Sequence, residues 1–201
     1  MSTSRQRLVG EICGLGTEIG TRLVIGRWTS TPYGPFADVM VELAGGRRLL
    51  LAPNAEIAEL ITALYEFDEV IVEPVVAERA SDRLRIAAGP LLAEVTIGAR
   101  DALGWCLRAT PRRIATSTAF AAAVDPIARI VLRGVRTRGR TSGGQEFYGA
   151  TDRHRVTAVR ATWDGNDLGE LRPVDPPVRF GFSSTPKRPS IVEVTTTVIT
   201  N

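Results

Sequence analysis

The sequence predicts an α+β fold: a largely antiparallel, strongly bent sheet or partial barrel, with one amphipathic helix and a helical middle segment. Three observations predict it. Alternating or β-branched stretches fill both ends of the chain, sustained helical periodicity is confined to one short segment, and successive strands are joined by Gly and Pro turns without regular strand–helix–strand units. The strands on either side of the helical middle can complete one sheet, so a single domain over 1–201 is expected.

The elements follow in order. "TRLVIGRW" from Thr21 is rich in β-formers, and "STPYGPF" after it is a stiff turn with two prolines. "ADVMVELAGGRRLLLA" reads as a hairpin, in which Val39, Val41 and Leu43 alternate with Met40 and Glu42 and Gly45-Gly46 forms the turn. "PNAEIAELITALYEF" predicts a helix over about 54–65, capped by Asn54, with Ile57, Leu60, Ile61 and Leu64 on one face. That face is expected to pack on the neighbouring hairpin. In "DEVIVEPVVAE", Pro74 interrupts a strand and demotes it to an edge or bulge. "DRLRIAAGPLLAEVTIGA" is a second hairpin around Gly89-Pro90. From 101 to 132 the chain turns alanine-rich and helical, divided by Pro111 and Pro126. Strands return afterwards and end in "SIVEVTTTVIT".

Composition narrows the function classes. Of 201 residues, 44% are hydrophobic and 23% charged, as in soluble globular chains, and 25 basic residues against 22 acidic ones leave a net charge of +3. So balanced a chain needs no polyanion partner. Apolar runs are too short for a membrane helix, and the N-terminus is broken by Gly10 and Glu11, so a cytoplasmic location is expected. Self-association stays open. Cys13 and Cys106 lie in apolar surroundings and are expected to be buried free thiols. With one histidine and no Cys-x-x-Cys, no metal site is expected, and no cofactor is implied.

Four stretches carry candidate chemistry. "WTSTPYGPFADV" places Trp28, Tyr33 and Phe36 on the rigid turn of an aromatic-poor chain, as the wall of a ligand pocket or a corner of the core. "FYGATDRHRV" holds the sole histidine, His154. Asp152 at i−2 shares its strand face, and Tyr148 nearby completes a candidate acid–base trio. A small organic ligand held in one cavity by Trp28, Tyr33, Phe36, Tyr148 and His154 is the leading expectation. Whether the chain is an enzyme is left open.

The alternative expectation is RNA or another polyanion on Arg133, Arg136, Arg138 and Arg140 in "RGVRTRGR", although the balanced charge argues against nucleic acid. The fourth stretch surrounds Lys187, the one lysine in the chain. Pro186 and Pro189 flank it, which reads as an exposed connector with an ordinary ammonium group. "GLGTEIG" precedes a strand instead of a helix, so it reads as a glycine turn and not a dinucleotide loop.

On "WTSTPYGPFADVMVE", "LLLAP", "FDEV", "FYGATDRH" and "PPVRFGFSSTP", the chain resembles over nearly its full length a group of bacterial proteins, mainly actinobacterial, of unknown activity. More distantly, its strand-rich layout and "YGPFADVMVE" are similar to the acetoacetate decarboxylase-like superfamily. That resemblance implies a pocket built on a sheet. It does not carry over the Schiff-base lysine of the true decarboxylases, because the chain has no mid-chain lysine.

Overall fold

The computed structural model describes residues 4–117, 138–141, 144–181 and 185–200. Among them the strands are β1 (Ser4–Thr17), β2 (Arg22–Ser30), β3 (Phe36–Glu42), β4 (Arg48–Ala52), β5 (Glu69–Val72), β6 (Val75–Arg79), β7 (Arg83–Ala88), β8 (Leu91–Arg100), β9 (Arg138–Thr141), β10 (Gly144–Trp163), β11 (Asn166–Asp167), β12 (Leu171–Arg172) and β13 (Ser190–Thr200). The helices are α1 (Ala55–Thr62), α2 (Ala102–Ala109) and α3 (Arg112–Ala115). All thirteen strands belong to one sheet whose main path runs β5-β4-β3-β2-β1-β13-β10-β8-β7-β6.

The two ends of that path are consecutive in sequence. Only Glu73 and Pro74 join β5 to β6, so the sheet has to curl until its edges approach each other. Proline has no N–H for a ladder, which is why the "EVIVEPVVAE" strand splits there. Arg27 Nε on β2 donates to the Ala77 carbonyl on β6 at 3.2 Å, reaching across the curl. The result is an open half-barrel. It is mixed and not purely antiparallel, because β4 and β5 run parallel. A parallel pair needs a crossover, and α1 supplies it.

The concave face carries the main core. Leu15, Leu23, Ile25, Val39, Val41 and Leu51 from the first half meet Leu84, Leu91, Val95 and Ile191 from the second. The opposite face is also covered over β1–β4. There Leu50 and Ala52 pack against Ile57, Ala58 and Ile61 of α1, and Val24 packs against Val174, Val178 and Phe180 from the segment before β13. The strands are thus buried on both sides, which explains their near-continuous apolar sequences.

Helix α1 starts where Asn54 Oδ1 accepts a hydrogen bond from the Ile57 amide at 2.9 Å. It closes at Thr62, earlier than the apolar spacing through Leu64 suggested. The Ile61 carbonyl is taken up by a tight turn in which the Leu64 and Tyr65 amides both donate to it. Losing the cap by Asn54→Ala is expected to cost about 1 kcal/mol in urea unfolding. An unchanged midpoint would show that packing alone sets the helix start.

The helical middle divides at Pro111 as expected, into α2 and α3 among the described residues, and residues 118–132 of it lie outside them. One further expectation is corrected. Cys13 is fully buried and its thiol is pushed up to about 12 by that burial, but Cys106 on α2 is exposed. A single α2 face packs on the sheet, and Cys106 is not on it. No helix among the described residues is long and apolar enough to cross a membrane.

Candidate ligand-binding site

Between the convex face of the sheet and its cover lies a cavity of about 60 Å³. Its floor comes from alternate residues of β1, β2, β3, β13 and β10, and its cover from α1 and the 173–181 segment. Strand alternation decides which side chains reach it: Phe36, Asp38 and Met40 of β3 line the cavity, while Val39 and Val41 point into the concave core. The lining is apolar and aromatic, with rings from Trp28, Phe36, Tyr65, Tyr148 and Phe180. Asp38 is its one charged residue among those described.

Asp38 is 4% exposed. Burial pushes its carboxyl up to about 7, with the Trp28 hydrogen bond pulling the other way. The Trp28 indole Nε1 donates to Asp38 Oδ1 at 2.9 Å. In the β2–β3 register Trp28 stands opposite Phe36 and Gly26 opposite Asp38, so the indole reaches diagonally over Gly26 to the carboxyl. Only a glycine allows this. A Cβ at position 26 would sit 2.4 Å from Asp38 Oδ1 and 2.7 Å from the indole nitrogen.

The other polar groups gather on β10 and β13. Tyr148 stands opposite Thr196, and its phenol is hydrogen-bonded to that of Tyr65, just beyond α1. The Thr196 hydroxyl is buried, lines the cavity and has no hydrogen-bond partner among the described residues.

The cover is latched by charge. Glu42, fully buried on the same face of β3 as Asp38, forms an ion pair with Arg22 Nη2 at 2.8 Å and accepts from Arg179 Nε at 2.8 Å and the Arg179 amide at 2.9 Å. Arg22 Nη1 also donates to the Pro176 carbonyl at 2.9 Å. These bonds tie the segment that supplies Val178 and Phe180 to the sheet.

Of the residues expected to share one cavity, Trp28, Phe36 and Tyr148 line it. Tyr33 does not. It packs beside the α1 cluster, and its hydroxyl meets the Gln6 side chain at 2.9 Å. His154 lies on the other face of the sheet, because it stands opposite Ile191, a member of the concave core. A register shift between Ala150 and Asp152 moves this stretch of β10 out of step with Tyr148.

The trio is therefore not assembled. The Asp152 carboxylate is gripped by Arg100 at 2.6 and 2.7 Å, which holds it below the usual carboxylate range, and His154 Nε2 is 3.8 Å away. His154 Nδ1 instead faces the Gly98 carbonyl at 3.1 Å.

Arg133 and Arg136 lie outside the described residues, and Arg138 and Arg140 belong to β9, which pairs with the start of β10. Lys187 is exposed and its Nζ pairs with Asp175 at 2.6 Å, away from the cavity. Among the described residues no cluster of three or more His, Cys, Asp or Glu could hold a metal ion. Comparison with known proteins finds no matching family model, no matching curated protein and no matching solved structure.

Sequence reasoning missed Asp38, Gly26, Tyr65, Thr196 and Glu42. One signal was present: Asp38 shares the β3 face of Met40 and Glu42, and the apolar side of the next helix has to cover a face of that hairpin.

Proposed function

We propose that this chain binds a small organic ligand in the cavity beneath α1, with the Asp38 carboxyl as its polar anchor. The observation that carries the reading is an acid, the one charged lining residue among those described, buried among aromatic rings, positioned by Trp28 and given room by Gly26. Burying a carboxyl without a countercharge costs several kcal/mol, and an apolar residue at position 38 would serve a plain core better. The unpartnered Thr196 hydroxyl is a second polar group in the same space that an occupant can satisfy.

The cavity volume sets the scale of what enters. One water takes about 10–15 Å³ on this measure, so the space suits a group of about four heavy atoms. Titrating compounds of that size while following the Trp28 indole N–H in heteronuclear NMR is expected to give a saturable shift. Leu64→Trp, which fills the cavity from the half-buried Leu64, is expected to abolish the shift while the circular dichroism stays native. A panel that leaves the indole signal unmoved, or a shift that survives the filled cavity, rejects the site.

A further inference from the structure

We infer that the ligand carries a small alkylammonium group, held between the Asp38 carboxylate and the faces of the surrounding aromatic rings. This rests on the cavity being a ligand site, and it names the chemical class that fits.

The argument begins with the sign of the site. No lysine, arginine or histidine lines the cavity among the described residues. The charges on the neighbouring elements are turned elsewhere or already neutralised. On β1 and β2, Glu11 and Arg27 pair at 3.3 Å on the concave face. On β3, Glu42 is shared by Arg22 and Arg179. On α1, Glu56 and Glu59 are exposed, and in the cover Asp175 is paired with Lys187. On β10, Asp152 is held by Arg100, and on β13 Glu193 is exposed near Arg112. Besides Asp38, the other ionisable side chains lining the cavity among the described residues are Tyr65 and Tyr148, whose hydroxyls bond each other.

Among the described residues an ionised Asp38 thus has one hydrogen-bond donor, the Trp28 indole, and it occupies Oδ1. The aromatic rings cannot supply the missing positive charge. Their faces are electron-rich, so they disfavour an anion and attract a cation. A carboxylate and five rings with no resident cation form a site complementary to an ammonium head group and hostile to an anionic one. An alkylammonium brings N–H donors for Asp38 Oδ2 and for the lone pairs of Thr196, and a short alkyl chain for the apolar remainder. Methylene groups of such a ligand also leave water.

The test compares probes of equal size: n-propylammonium, 1-propanol and acetate, each of four heavy atoms, titrated at pH 5.5 and 8.5 with the Trp28 indole signal as readout. Propylammonium is charged at both pH values, so any pH dependence belongs to the protein. The expected result is propylammonium binding at least tenfold tighter than 1-propanol at pH 8.5. It should weaken by roughly 30-fold at pH 5.5, where a carboxyl that titrates at about 7 is almost wholly protonated. Propanol affinity should not change with pH.

Asp38→Asn keeps an oxygen for Trp28 and should erase both the cation preference and the pH effect. If that variant does not fold, the two-pH comparison in the wild type decides alone. Equal affinity for propanol and propylammonium, or a preference for acetate at pH 5.5, overturns the ammonium inference and leaves the cavity reading standing. No saturable shift with any probe, in a panel of this size, rejects both.

Discussion

Glu42→Ala is expected to destabilise the fold by about 3–5 kcal/mol, the cost of breaking a buried ion pair from one side. Glu42 is fully buried, accepts two hydrogen bonds from Arg179, one from its guanidinium and one from its amide, and forms an ion pair with Arg22. Its loss strands Arg22, which is only 5% exposed and whose Nε is already without a partner. Arg179 is better placed, because its exposed side chain can turn to water. The penalty therefore comes chiefly from Arg22 on the sheet.

Urea unfolding followed by far-ultraviolet circular dichroism measures the loss. Pairing Glu42→Leu with Arg22→Met should recover a substantial part of it, since exchanging a whole buried ion pair for apolar side chains is close to neutral. A single-variant cost below about 1 kcal/mol would show that Glu42 is not the latch of the cavity cover. Release of that cover should also move the Trp28 indole signal, because Phe180 and Trp28 line the same space.

The parts of this fold set by local chemistry were legible in the sequence. Asn54 does cap the helix, Gly45-Gly46 does turn the β3–β4 hairpin, Gly89-Pro90 does turn β7 into β8, and Pro74 does end a strand. The closing geometry was not, because it depends on pairings between distant segments. Nothing near residue 75 says that β6 pairs with β7 at one end of the sheet while β5 pairs with β4 at the other.

The site shows the same division. Trp28 and Phe36 stood out as aromatics on a rigid turn, and they face the cavity. Reading His154 with Tyr148 failed on a single extra residue, since a bulge on β10 reverses which side chains share a face. Asp38 carried no motif that set it apart within its hairpin. It is buried because α1 and the 173–181 segment cover that side of β3 too, and the second of these comes from far along the chain.

Asp38 should also make the wild type less stable as pH rises from 5 to 8, contrary to the usual behaviour of a carboxylate. Its carboxyl is pushed from 3.8 up to about 7 in the folded state, so between those values the native protein holds a proton that the unfolded chain has released. Stability then falls with rising pH across that window and levels off above the folded value, because the unfolded state binds fewer protons there. Across pH 5 to 8 the loss amounts to about 2–3 kcal/mol.

The remaining shifted acids act elsewhere. Asp152 and Glu94 are lowered by Arg100 and Arg85, and Asp68 is held at about 2 by Arg48. Their contributions are present above the ordinary carboxylate range and are lost only as pH falls below it. The Cys13 thiol acts only above pH 9.

Chemical denaturation of wild type and Asp38→Asn at pH 5 and pH 8 isolates the group. The wild type should lose stability between the two, and the variant, which cannot ionise, should lose little. At pH 8 the variant should therefore be the more stable protein, which is the expected sign for a residue whose charge opposes folding. A wild type equally stable at both pH values, or a variant with the same slope, would mean that Asp38 is not held protonated by its burial. The cavity would then lack the feature that distinguishes it from ordinary core.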